Sequence, residues 1–283
     1  MEGTNVRKLE ERDLDAAIAL TALEHWGYTR ADFRRLLALS PGGCFVADWQ
    51  GDVVGVLATT TYDELAFLGA VIVRPELRGK GVGKTMMEVA LRHLSSEGVR
   101  TVRLYAYLNA VRFYERLGFH GEYEVVRWIG SRPVGPMRSV RPVRIDDLDA
   151  LARMDAPYFG ADRHALLEQL ADEFSSTFLV AEHRGRIGGY VVGNPDGDTC
   201  EVGPWVVEPG NDRTALDLIC GLVAAAGVSE IGFSGPTRNE ALLEFVRLGR
   251  FDEALRTLRM WWGSNEFVGE PRGIWALGGL EKG

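Results

Sequence analysis

The chain has 283 residues, 46% hydrophobic and 25% charged, a globular balance that excludes fibrous repeats and disorder. Its 32 basic and 40 acidic residues leave a net charge of −8, which argues against a sequence-general nucleic-acid binder. Residues 1–135 are neutral, with 17 basic and 17 acidic side chains, while 136–283 hold 15 and 23 and carry the whole excess. Two domains are expected from the length. Cys44, Cys200 and Cys220 lack metal-ligand spacing and are expected to be buried free thiols in a reducing compartment. The start shows no charged-then-apolar signal, and the longest apolar stretch, 218–228, is too short to span a bilayer. A cytoplasmic protein without metal, membrane or nucleic-acid partner is expected, with a homodimer possible.

In chain order, a strand over 6–9 leads into a helix from about Asp13. A second helix starts at Thr29, where Thr29 and Asp32 make a capping box and Phe33, Leu36 and Leu37 share a face. Ser40-Pro41-Gly42-Gly43 stops it. Strands over 44–49 and 53–60 are joined at Gln50-Gly51-Asp52, a hairpin signal. A strand over 66–73 and a Gly-rich turn come next. A helix over 81–95 follows, with Val82, Met86, Val89, Ala90 and Leu94 at helical spacing and Gly98 as its stop. A strand over 101–108, a helix over 111–117 and a closing strand over 124–129 end the unit.

The unit then recurs. Val6-Arg7 and Asp13-Leu14-Asp15-Ala16 return as Val140-Arg141 and Asp147-Leu148-Asp149-Ala150, an offset of 134. Gly51, Gly55, Gly69, Val73 and Pro75 return as Gly185, Gly189, Gly203, Val207 and Pro209 at the same offset. This is a duplicated fold, 1–133 and 138–283, joined at Gly130-Ser131-Arg132-Pro133-Val134-Gly135-Pro136. Helices mixed with hairpins predict an α+β class, each copy a mixed, mostly antiparallel sheet flanked by helices.

The chemistry concentrates in the Gly-rich turn. Val71-Ile72-Val73 ends a strand, Pro75 stops it, and Arg78-Gly79-Lys80-Gly81-Val82-Gly83-Lys84 opens a helix. Free amides and partial positive charge at a helix start, glycines that admit close approach, and three cations make an anion cradle. The spacing fits neither a Walker loop nor the dinucleotide fingerprint.

This stretch resembles the acyl-CoA motif of the GCN5-related N-acetyltransferase (GNAT) family, R/Q-x-x-G-x-G/A after a V-x-P strand end. Tyr114-Glu115-Arg116-Leu117-Gly118-Phe119 is similar to the family's downstream Y-x-x-x-G-F element. The resemblance implies acetyl-CoA as co-substrate, its pyrophosphate on the amides from Gly79 to Lys84, and its pantetheine arm along Val71, Ile72 and Val73. It implies that a strand amide there holds the thioester carbonyl. It gives Tyr114 the role of protonating the departing thiolate. The family often has Asn seven residues before that Tyr; here Tyr107 stands there, and Asn109 is the residue offered to the CoA arm. An acceptor amine, with a pKa near ~10.4, needs a base. Glu24, His25, Asp63 and Glu64 are the candidates. His25, Trp26 and Tyr28 lie between the first two helices, which border the acceptor in this family, and Tyr105 and Tyr107 share a strand face that could line it.

At the offset of 134 the cradle becomes Glu208-Pro209-Gly210-Asn211-Asp212-Arg213-Thr214-Ala215-Leu216-Asp217. Asp212 replaces Arg78, Ala215 replaces Gly81 and Asp217 replaces Gly83, and counting back four from Leu248-Gly249 puts Phe245 at the place of Tyr114. The second copy is expected to bind no CoA and to shape the acceptor pocket. Trp205, Trp261 and Trp262 belong either to that contact or to its own core. The expected activity is N-acetyl transfer from acetyl-CoA to a small, cationic primary amine by direct attack. Alternatives are a protein or peptide acceptor, a mycothiol-synthase-like transferase whose working copy would be the second, and a non-enzymatic acetyl-CoA sensor.

Overall fold

The computed structural model describes residues 4–283. The first copy contains β1 (Thr4–Lys8), α1 (Leu14–Ala22), α2 (Arg30–Leu39), β2 (Phe45–Trp49), β3 (Asp52–Tyr62), β4 (Leu65–Val73), α3 (Val82–Ser96), β5 (Thr101–Tyr107), α4 (Val111–Glu115) and β6 (His120–Ser131). The second contains β7 (Val140–Pro142), α5 (Leu148–Phe159), α6 (His164–Glu173), β8 (Phe178–His183), β9 (Arg186–Asp196) and β10 (Thr199–Val207). It continues with α7 (Asp212–Ala226), β11 (Glu230–Pro236), α8 (Glu240–Gly249), β12 (Asp252–Gly263) and β13 (Ile274–Ala276).

Local signals act as expected from the chain. The Thr29 hydroxyl accepts from the Asp32 amide, and the Asp32 carboxylate accepts from the Thr29 amide at 2.8 Å, so α2 starts on a capping box. Gln50 and Gly51 both take positive φ, 55° and 89°, and close the β2–β3 hairpin. One face of α3 buries Met86, Ala90 and Leu94 against the sheet.

The duplication extends to side chains. Arg7 grips Asp13 with two hydrogen bonds of 2.6 and 2.8 Å. Arg141 grips Asp147 in the same way, at 2.6 and 2.9 Å. In each copy the carboxylate also accepts a backbone amide, from Glu10 or Arg144, and so starts the helical turn behind the first strand.

The thirteen strands of the described residues form one sheet, ordered β1-β2-β3-β4-β5-β12-β6-β11-β10-β9-β8-β7, with β13 on β10. The expected closing strand over 124–129 is longer and does not lie beside β5. β12 pairs with β5, from Thr257–Tyr107 to Gly263–Thr101, while β6 pairs with β11, from Glu230–Ser131 to Pro236–Val125. The first copy's sheet thus continues into β12 of the second and the second copy's sheet into β6 of the first, and β6 and β12 pair with each other between them. The exchange leaves no open edge at the junction. One apolar cluster joins Tyr62, Leu65, Phe67 and Val125 of the first copy to Leu151, Leu166, Phe178 and Tyr190 of the second. No helix among the described residues is long and apolar enough to cross a membrane.

Candidate functional site

The cleft begins where two parallel strands part. β4 and β5 pair only from Leu65–Thr101 to Leu68–Leu104. Beyond Leu68 a bulge intervenes: the register with β3 slips between Val56 and Ala58, and Ala70 takes φ +50°. A bulge re-aims the strand. The edge of 69–73 that would face β5 has no strand partner among the described residues. Val71 is half-buried there, with Ile72 and Val73 in the core.

α3 starts just past that edge. Gly79 and Gly81 have φ of +74° and +91°, which bulky residues avoid. Gly81 caps the helix without a side-chain bond. Among the described residues none of the amides from Gly79 to Lys84 donates to a protein acceptor. Arg78, Lys80 and Lys84 stand exposed around them. Six unspent donors with positive charge at a helix head suit a pyrophosphate, and the free amide edge of β4 suits an amide-bearing arm. These residues therefore fit CoA.

Tyr114 on α4 is half-buried against Phe113 and Phe119, at ring distances of 5.0 and 5.9 Å. Burial pushes its phenol above the usual tyrosine value. Its hydroxyl has no hydrogen-bond partner among the described residues, and it is not a fully buried orphan. Asn109 lies exposed in the turn between β5 and α4.

The α1–α2 loop forms the other wall. The Trp26 indole donates to the Tyr107 hydroxyl at 2.7 Å, and Trp26 meets Tyr28 edge-on at 6.4 Å. Tyr105 stacks on Phe67, 6.0 Å away. His25 is exposed, with φ +57°. The proposed bases divide. Glu24 accepts from Arg78 at 2.7 Å, and Arg78 also donates to the Val73 carbonyl at 2.9 Å, so Glu24 ties the acceptor loop to the cradle. Asp63 and Glu64 sit in the turn before β4. Glu64 faces Arg100 at 3.6 Å, some ~17 Å along the strand from Gly69, and is not brought to the cleft.

Sequence reading had no candidate in the segment after β13, which enters the cleft. The Thr60 hydroxyl donates to the Glu281 carbonyl at 3.0 Å, and the Tyr62 hydroxyl donates to that of Lys282 at 2.8 Å. A Cβ on Gly69 would collide with the Glu281 Cβ and Cα, so the two backbones touch.

Residues 9–119 match the model of the acetyltransferase (GNAT) family, and residues 151–276 match that of an acetyltransferase (GNAT) domain. The chain is a tandem of two GNAT domains. This supports acetyltransferase activity in general. Holothin acyltransferase of Pseudoalteromonas sp. (strain SANK 73390) is 27% identical over 267 residues, covering 92% of this chain and 88% of that protein. Mycothiol acetyltransferase of Streptomyces coelicolor is 35% identical over 134 residues, covering 42% of this chain and 43% of that protein. A crystal structure from Pyrococcus horikoshii has the same fold, with TM-score 0.87, 22% identity and coverage of 100% of this chain and 97% of that one. So has a tandem GNAT protein from the clavulanic acid biosynthesis pathway, with TM-score 0.64, 14% identity and coverage of 92% and 98%.

The second GNAT domain repeats the splay but not its openings. β10 and β11 pair in parallel only from Thr199–Glu230 to Val202–Phe233, and Gly203-Pro204 follows as the bulge. β13 lies on β10 just past it, with Ala276 against Trp205 and Ile274 against Val206. α7 begins at Asp212, a turn earlier than the repeat places it, and the Thr214 and Ala215 amides donate to Asn211. Asp217 is held by Arg213 at 3.1 Å. Phe245 packs on Trp205 and Phe251, with ring distances of 5.7 and 5.2 Å. Trp205 belongs to this domain's core, whereas Trp262 on β12 packs against the first domain's core.

Proposed function

We propose that the first GNAT domain is the working site of an acetyl-CoA-dependent N-acetyltransferase and that the second binds no CoA. The observation that carries this is the row of six undonated amides, 79–84, beside an unpaired strand edge. In the second domain a chain segment lies on the equivalent strand and the cradle is wound into helix. When bound, acetyl-CoA supplies the activated acetyl group.

The residues then divide the work. The amides of 79–84, with Arg78, Lys80 and Lys84, hold the diphosphate. The β4 edge at Val71 to Val73 aligns the arm, and a strand amide there faces the carbonyl where charge develops. Tyr114 keeps its proton through neutral pH, because burial disfavours the phenolate, and donates to the departing sulfur. Trp26, Tyr28, Tyr105 and Tyr107 form the acceptor wall, whose ring faces suit a cationic amine. A small acceptor is further supported by relatives named for small molecules, holothin and mycothiol, and by the narrowing of the cleft by 277–283.

Thiol release from acetyl-CoA over a panel of small amines and peptides tests the reading. Small cationic amines should turn over, with peptides at background. Peptide turnover matching the amines would replace the acceptor class. No thiol release with any acceptor would sink the transferase reading.

A further inference from the structure

The segment that follows β13 has two destinations. Its first part, Ile274 and Ala276, lies on β10 of the second domain. Its last part folds into a tight turn, where the Gly278 amide donates to Gly283 and the Gly283 amide to Gly279. That turn sits in the first domain's cleft. Two hydroxyls from β3, Thr60 and Tyr62, hold its carbonyls, and Gly69 lets its backbone touch β4 immediately before the bulge. A buried ionised side chain needs a compensating charge. Glu281 is 8% exposed and Lys282 6%, and the Lys282 ammonium bonds the Glu281 carboxylate. Tyr28 of the acceptor wall lies close to that carboxylate; burial first, then the Glu281 charge, pushes its phenol well up.

The cleft thus already contains a primary ammonium on a flexible stem, held against a carboxylate beside the splayed strand. We propose that Glu281, delivered by the second domain, receives the acceptor's ammonium in the first domain's site and takes its proton. This rests on the transferase reading and offers a base besides Glu24, which is paired with Arg78, and Glu64, which faces Arg100 away from the cleft. Lys282 marks the place that the substrate's ammonium takes, and it turns toward Asp32 of α2, which already feels its charge. The balance is simple. Glu281 takes one proton from the ammonium and later yields it to solvent. The neutral amine forms the C–N bond as the C–S bond breaks. Tyr114 gives its proton to the sulfur and recovers the second amine proton. Net products are the amide, free thiol and one proton.

The groups facing Glu281 are Lys282, Tyr28, Tyr62 and, across Lys282, Asp32; the Arg163–Asp155 pair stands behind Tyr62. The test uses the full chain, Glu281→Gln and Lys282→Met. Glu281→Gln should cut kcat about 100-fold or more and keep the KM for acetyl-CoA. Lys282→Met should lower the KM for the amine, because the carboxylate is no longer occupied. Titration calorimetry with n-butylammonium supplies a readout independent of turnover, with binding to the wild type and about tenfold weaker binding to Glu281→Gln. Equal n-butylammonium binding by wild type and Glu281→Gln would overturn the proposal, as would an unchanged kcat in that variant. If no amine is turned over but the calorimetric difference holds, the transferase reading fails while the ammonium site stands.

Discussion

The roles proposed for Tyr114 and Arg78 differ, and kinetics can separate them. Removing the phenol hydroxyl in Tyr114→Phe should lower kcat about 100-fold and leave the KM for acetyl-CoA nearly unchanged, since only the departing sulfur loses a donor. The raised phenol pKa gives a sign. Activity persists as pH rises past the ordinary tyrosine value near ~10 and falls only above it, and that alkaline limb should be absent in the Phe variant. Arg78→Ala removes a cation from the cradle and frees Glu24, so the KM for acetyl-CoA should rise about tenfold or more. A Tyr114→Phe variant with a large KM change and intact kcat would reverse these roles. At this scale the sequence was informative where the site is contiguous. Arg78 to Lys84 form one turn, and glycine spacing reveals a backbone cradle. Glu281 was invisible because it meets Thr60 across 221 residues, and nothing in its own neighbourhood signals that contact.

The two Arg–Asp clasps show how an element is fixed. Arg7–Asp13 and Arg141–Asp147 each tie a first strand to the helix that follows, with the carboxylates mostly shielded. The paired arginine holds each Asp below its ordinary range. A depressed folded value means stability that is present above the unfolded carboxylate pKa, near ~3.9, and lost as pH falls through the lower folded value. Asp147→Asn should cost about 1.5–3 kcal/mol at neutral pH and flatten that acid dependence; urea melts at pH 7 and pH 3 measure both. The sequence showed this repeat as matched letters at one offset, and the structure shows that the letters are a repeated ion pair. It could not show β13, three residues long, whose place on β10 depends on the bulge at Gly203-Pro204. Nor could it show that α7 starts a turn early. The replaced glycines, Ala215 for Gly81 and Asp217 for Gly83, explain that after the fact, because both residues favour helix over the open turn more than glycine does.

At the scale of the molecule, the two copies are one sheet. The residue pattern of 120–131 and of 252–263 suits a strand beside any partner, so the exchange of β6 and β12 was not legible, although the duplication was. The exchange has a consequence for stability. Each copy lacks a strand without the other, so the full chain should unfold in one cooperative transition, and a fragment of residues 1–133 should fail to give a folded spectrum. Two separate transitions, or a folded 1–133 fragment, would contradict interlocked domains. The charge imbalance has a local part as well. Asp212, exposed, and Asp217, paired with Arg213, stand in the second copy where the first has a cation and a glycine.

The proposed division of labour between the copies rests on which cradle accepts CoA, and one titration addresses it. Gly83 offers a benign place for the decisive change: its φ is ordinary, and a Cβ would meet only Val73 and Phe113, at 3.6 and 3.7 Å. Gly83→Asp copies Asp217 into the working cradle. Calorimetry of CoA binding to the full chain should give one site per chain, weakened about 100-fold or more in a folded Gly83→Asp variant. Two sites per chain, or one site that Gly83→Asp leaves unchanged, would contradict it.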